Sequence, residues 1–163
     1  MARDHHYRVT VEWTGDRETG TSSYKAYGRD HVTTAPGKPA IAGSADPTFR
    51  GDRTRWNPEE LLVAALSQCH MLWYLHLAAD AGLCVLDYRD TAEGVMAEDE
   101  TGSGRFLTAR LKPHAVLAEG SDRALALALH DRAHERCFIA QSVNFPVICE
   151  PTCTVPGDRN EQE

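Results

Sequence analysis

Residues 61–79 constrain this chain more than any other stretch. Leu61, Leu62, Ala64, Ala65, Leu66, Met71, Leu72, Trp73, Leu75, Leu77 and Ala78 follow one another with almost no polar face between them. A helix start precedes the run. Asn57 is a good N-cap, Pro58 suits the first helical position, and Glu59 and Glu60 favour the positive end of the helix dipole. Gly82 is a suitable stop. A helix apolar around nearly its whole circumference must be covered on nearly all sides. The strands of a 163-residue chain can hardly do that alone, so a second copy is expected to cover part of it. Ser67, Gln68, Cys69, His70 and His76 interrupt the run, which is therefore expected to fall short of a membrane span.

The remaining pattern supplies what packs on that helix. Residues 7–13 alternate and are rich in β-formers, and a second strand is predicted over 23–33. The loop-rich segment that follows, with Pro36, Gly37, Pro39, Gly43 and Pro47, leaves room for one short strand near Ile41. Residues 84–97 and 106–118 read as two strands joined by an acidic, glycine-bearing turn. Ser121 and Asp122 cap a second helix running to about Cys137. A last strand is predicted over 146–155, and the polar tail from Pro156 is expected to be frayed. Strands, helix, strands, helix, strand is an α+β order without βαβ alternation. It is read as a single domain over residues 1–163.

Composition narrows the function. A net charge of −7 argues against general affinity for nucleic acid or an anionic membrane. The polar N-terminus shows no apolar signal core, so a cytoplasmic protein is expected. Five cysteines cannot all pair within one chain. In a reducing compartment free thiols are the default, and a pair that cycles is catalytic more often than structural. Taken alone, Cys69 and Cys137 read as core cysteines, and Cys84, Cys149 and Cys153 as core or edge residues of strands. His134-x-x-Cys137 and Cys149-x-x-x-Cys153 have spacings zinc can use, but no second tight pair frames them, and no metal is expected. There is no G-x-S-x-G nucleophile elbow.

The segment from Asn57-Pro58-Glu59-Glu60-Leu61 through Ser67-Gln68-Cys69-His70 resembles the signature of the OsmC/Ohr family, in which N-P-E-[EQ]-L leads, ten residues on from the Glu, to a reactive Cys. Ala133-His134-Glu135-Arg136-Cys137 is similar to the place of that family's second Cys near a helix end, and the strand plan agrees along nearly the whole chain. The resemblance implies antiparallel sheets packed around two long central helices, in an intertwined homodimer. It also implies reduction of small apolar organic hydroperoxides, with hydrogen peroxide a further substrate. Cys69 attacks the peroxide and becomes a sulfenic acid; Cys137 condenses with it to a disulfide; an external dithiol of the lipoyl type reduces that, and no cofactor is involved.

In the family a guanidinium held by the Glu of N-P-E stabilises thiolate and developing alkoxide. Glu59 carries over, and Arg50 is the favoured partner, with Arg29 and Arg17 as the other candidates. One departure is plain: the V-C-P-Y-S common around the second Cys is here Arg136-Cys137-Phe138-Ile139-Ala140, without Pro. An apolar-ligand binding module with an unreactive Cys69 is the second reading, and a metal-bound structural protein the third. The family mechanism adds a geometric expectation. Ten helical residues rise about 15 Å, so for Glu59 to share a site with Cys69 the helix must break between Leu66 and Cys69, where Ser67 and Gln68 interrupt it.

Overall fold

The computed structural model of the chain describes residues 3–156. From residue 157 on, the tail expected to be frayed lies outside the described residues. Two compact units divide the chain, the first ending at Leu61 and the second beginning at Leu62.

The first unit holds three short antiparallel strands, β1 (Thr10–Trp13), β2 (His31–Thr34) and β3 (Ile41–Gly43), in the order β1-β2-β3. Trp13 pairs with His31 and Val32 with Ala42. The second strand predicted over 23–33 is shorter and later than expected. Arg29 is the reason: its guanidinium lies 4.3 Å and 4.1 Å from the ring centroids of Tyr24 and Tyr27 and donates to both their carbonyl oxygens. Tyr24 and Tyr27 are wound around that one side chain instead of extending as a strand. At the end of the unit Asn57 Oδ1 accepts from the Glu60 N–H at 2.7 Å, while Glu60 Oε2 accepts from the Asn57 N–H at 3.3 Å. This reciprocal capping box starts the long helix where the sequence places it.

That helix, α1 (Pro58–Asp80), is continuous, and Gly82 closes it with φ of 71°. The expected break between Leu66 and Cys69 is absent. Ser67 does not compete with the helix backbone, because its hydroxyl donates outward to Asp90 Oδ2 at 2.6 Å. By length and apolar composition α1 could cross a membrane, against the expectation that it falls short. The face it buries, however, is His70, Tyr74, Leu77 and Ala78, packed within the protein. Leu72, at 63% exposed, looks away from the chain.

The rest of the second unit is α2 (Arg123–Arg136), started by Asp122, whose carboxylate accepts from the Leu125 N–H, and six strands. They are β4 (Val85–Asp90), β5 (Glu93–Glu98), β6 (Gly104–Leu111), β7 (Pro113–Leu117), β8 (Val147–Cys149) and β9 (Thr152–Thr154). They form two sheets, β4-β7-β9 and β5-β6-β8. Each of the three strands read from the sequence is thus two, creased where it passes from one sheet to the other. At the crease Asp90 Oδ1 accepts from the Lys112 N–H at 2.7 Å, and Leu111 O from the Glu150 N–H at 2.9 Å. The sheets are mixed rather than antiparallel throughout. β8 and β9 return after α2 and lie parallel to β6 and β7, as a strand reached through a helical crossover can. Tyr74, Leu77, Leu117, Leu129 and Ala133 belong to the core under α1 and α2.

Candidate active site

Two thiols meet where α1 and α2 face each other. Cys69 projects from the middle of α1. Cys137 ends α2 as its C-cap, with φ −68° and ψ 106° turning the chain out of the helix. Both are free, and Cys69 lies close enough to Cys137 to act on its thiol. Their environments differ. Cys69 is half-buried and Cys137 buried. Burial pushes the Cys137 thiol up to about 11, the Ala140 N–H that reaches its sulfur at 3.4 Å works against that, and the neighbouring Cys69 adds to it. Cys137 is therefore a protonated thiol at neutral pH.

An apolar wall stands beside the pair. Trp73, one turn beyond Cys69, meets Phe138 edge to face at 5.7 Å, and Phe138 is itself 69% exposed. The Arg136 guanidinium lies 5.7 Å from the Trp73 ring centroid. Without the family's Pro after the second Cys, the chain leaves α2 through Phe138 and a single 3-10 turn, Ala140–Ser142.

Glu59 sits in the first turn of α1, its Oε2 buried and without a hydrogen-bond partner among the described residues. Along the unbroken helix it stands about 15 Å of rise from Cys69. Arg50, exposed, follows the 3-10 turn Pro47–Phe49 in a left-handed conformation with φ of 68°. Arg29 is held by Tyr24 and Tyr27, and the Arg17 guanidinium lies beside Gly28. None of the three is hydrogen-bonded to Glu59 Oε2.

One residue beyond Cys69 the same helix carries something the sequence did not single out. His70 and His130 are fully buried, and His70 Nε2 lies 2.9 Å from His130 Nδ1. The ring planes are 11° apart and the centroids 5.2 Å apart. The centroid distance exceeds the nitrogen separation by about a ring width, so the imidazoles meet nitrogen to nitrogen rather than face to face. Cys149 Sγ approaches the same His70 Nε2 at 3.5 Å. Tyr74 stacks on His130 with centroids 3.8 Å apart. Burial, with the charge of His134 next, holds His70 down to about 4; burial, then His70, holds His130 down to about 3. Burial, then the charges of Asp90, Asp131 and Glu150, pushes Cys149 up to about 12. The cluster is thus uncharged at neutral pH. Its only sequence signal is that His70 shares a helical face with Tyr74 and Leu77, and His130 one with Ala126 and Ala133; the residue types read as interruptions of an apolar run.

Residues 51–151 match the family model described as OsmC-like protein. The chain belongs to that family. An OsmC-like protein of unknown function from Vibrio cholerae has a similar structure, with 30% identity and a TM-score of 0.82 over 91% of this chain and 99% of that one. The uncharacterized protein YmaD of Bacillus subtilis is 25% identical over 95% of this chain and 99% of its own length. An organic hydroperoxide resistance protein OsmC of Legionella pneumophila shares the fold, with a TM-score of 0.66 at 20% identity over 93% of this chain and all of that one. The α+β arrangement of mixed sheets and two helices is therefore the OsmC/Ohr-like fold.

Proposed function

We propose that this OsmC-like protein is a cysteine-based peroxidase that reduces organic hydroperoxides, with Cys69 as the attacking thiolate and Cys137 as the resolving thiol. The observation that carries the reading is the placement of the half-buried Cys69 of α1 close enough to the buried Cys137 at the end of α2 for the two thiols to act on each other. The relatives named for hydroperoxide resistance support it. The Cys69 thiolate attacks the terminal peroxide oxygen, the O–O bond breaks, and the alkoxide takes up a proton and leaves as an alcohol. Cys69 is then a sulfenic acid. Cys137 attacks that sulfur, the S–S bond forms, and the departing hydroxide takes the Cys137 proton and leaves as water. An external dithiol supplies two electrons and two protons to restore both thiols. Trp73 and Phe138 offer an apolar wall to the organic part of the substrate.

The same proposal includes a homodimer. Leu72 of the apolar helix α1 is exposed in the single chain, and a second copy would cover it. In the unbroken helix Glu59 cannot reach the Cys69 of its own chain, so a role for Glu59, with Arg50 as its partner, requires a second copy. Two measurements test this. Mass spectrometry after one equivalent of cumene hydroperoxide is expected to show the Cys69–Cys137 disulfide; its absence removes the two-cysteine cycle. Light scattering at micromolar concentration is expected to give twice the chain mass, and a monomer mass removes the dimer.

A further inference from the structure

We propose that His70, His130 and Cys149 form a binding site for one thiophilic divalent ion of the zinc class, separate from the Cys69–Cys137 pair. The three donor atoms, His70 Nε2, His130 Nδ1 and Cys149 Sγ, all lie within 4.8 Å of one another. With bonds of about 2.05 Å to nitrogen and about 2.3 Å to sulfur, a tetrahedral site has N···S edges of about 3.5 Å and N···N edges of about 3.3 Å. The His70–Cys149 edge is 3.5 Å and the His70–His130 edge 2.9 Å. To admit the ion the nitrogens part by a few tenths of an ångström and each imidazole swings by about 35° off the line joining them.

The donors come from α1, α2 and β8, three elements of the packed framework rather than a loop. Both histidines are buried, at 0% and 1% exposed, so water does not compete for their lone pairs. A plain hydrogen-bonded histidine pair accounts for less. One proton between the facing nitrogens leaves Cys149 Sγ aimed at a nitrogen already engaged. An ion engages all three donor atoms at once after that swing.

The surroundings fit the charge. Zinc bound to one thiolate and two neutral imidazoles carries a net +1, and the Asp90 carboxylate is close enough to act on both His70 and Cys149. The fourth corner is left to water. Tyr88, whose ring centroid lies 6.5 Å from that of His130, has a buried hydroxyl without a partner among the described residues.

The test uses the full chain, stripped with a chelator and titrated with Zn²⁺ against a chromophoric competitor, and separately with Co²⁺. One tight equivalent of zinc is expected, together with the thiolate-to-cobalt charge-transfer band of a tetrahedral site. Cys149→Ser and His130→Gln are expected to weaken zinc binding by more than the ten- to hundredfold that loss of an outer partner costs, and Cys149→Ser to abolish the cobalt band. The double variant Cys69→Ser/Cys137→Ser keeps both signals. Binding without the thiolate band, as at the exposed His5 and His6, overturns the proposal. So does no binding, binding that survives Cys149→Ser, or binding lost in the double variant. Should Cys149→Ser not fold, Cys149→Ala, which leaves no polar atom to bury, replaces it.

Discussion

Cys69 and His70 are neighbours on α1 and inhabit different chemistry. One helical step, about 100° of rotation, turns Cys69 toward a half-open contact with Cys137, Trp73 and Phe138. It turns His70 into a closed cluster with His130, Cys149 and Tyr74. Access, more than residue type, separates the two. Both places hold thiols, but Cys69 faces the half-open side, whereas the half-buried Cys149 lies against the fully buried imidazoles and stays protonated. A reactive thiol needs thiolate character and a path for its target, and of these two sides the Cys69 side offers the path.

The largest effect that can break this contrast is Cys69→Ser. Peroxide turnover with dithiothreitol is expected to fall by about a thousandfold or more, as loss of a nucleophile does, with an unchanged circular dichroism spectrum. Turnover retained in this variant transfers the chemistry to another thiol. Cys149→Ser, on the closed side, should leave peroxide turnover within about threefold of wild type, since the closed cluster takes no part in that cycle.

The closed side is expected to declare itself in acid. His70 and His130 have folded pKa values of about 4 and about 3 against an ordinary 6.5. Depressed values mean that the unfolded chain binds the protons more tightly. The stability they contribute is therefore present above pH 6.5 and lost as pH falls through the window down to about 4 and then about 3. For chelator-treated protein the loss should amount to a few kcal/mol, and urea midpoints measured from pH 7 to pH 4 read it. A flat profile across that range means the imidazoles are wetter than their burial implies.

Cys137→Ser sharpens the open side. One equivalent of peroxide should still be consumed, while Cys69 accumulates as sulfenic and then sulfinic acid in the mass spectrum and steady turnover falls by about tenfold, with external thiol as the slower resolving agent. The smallest effect tests the cost of the closed cluster. Tyr74→Phe removes a buried hydroxyl without a partner, so unfolding free energy should change by less than about 1 kcal/mol or rise. A loss well beyond that reveals a hydrogen bond made by water.

Much of this was legible in the residues. Asn57, Pro58 and Glu60 are a local signal, and the capping box forms among those same residues, so the start of α1 could be read without tertiary context. Gly82 ended it for the same reason. The creases were not legible. Residues 84–97 and 106–118 keep their strand pattern through the bend, and what turns them is a carboxylate from one strand on the backbone of another. Ser67 was misread because a serine in an apolar helix can cap, break or reach outward, and only the position of Asp90 decides. The nearness of Cys69 and Cys137 followed from family resemblance and not from their spacing. His70 and His130 escaped notice because sixty residues separate two positions whose meeting depends on how α1 packs against α2.

Asp90 has a last consequence. Its two oxygens are taken by the Lys112 amide at the crease and by the Ser67 hydroxyl of α1, so that one amide proton is held by a group that also anchors the helix. Exchange of the Lys112 amide with deuterated solvent then requires the crease and the helix contact to loosen together. Its rate is a single-site clock for the opening of the second unit as a whole, readable without touching either cysteine.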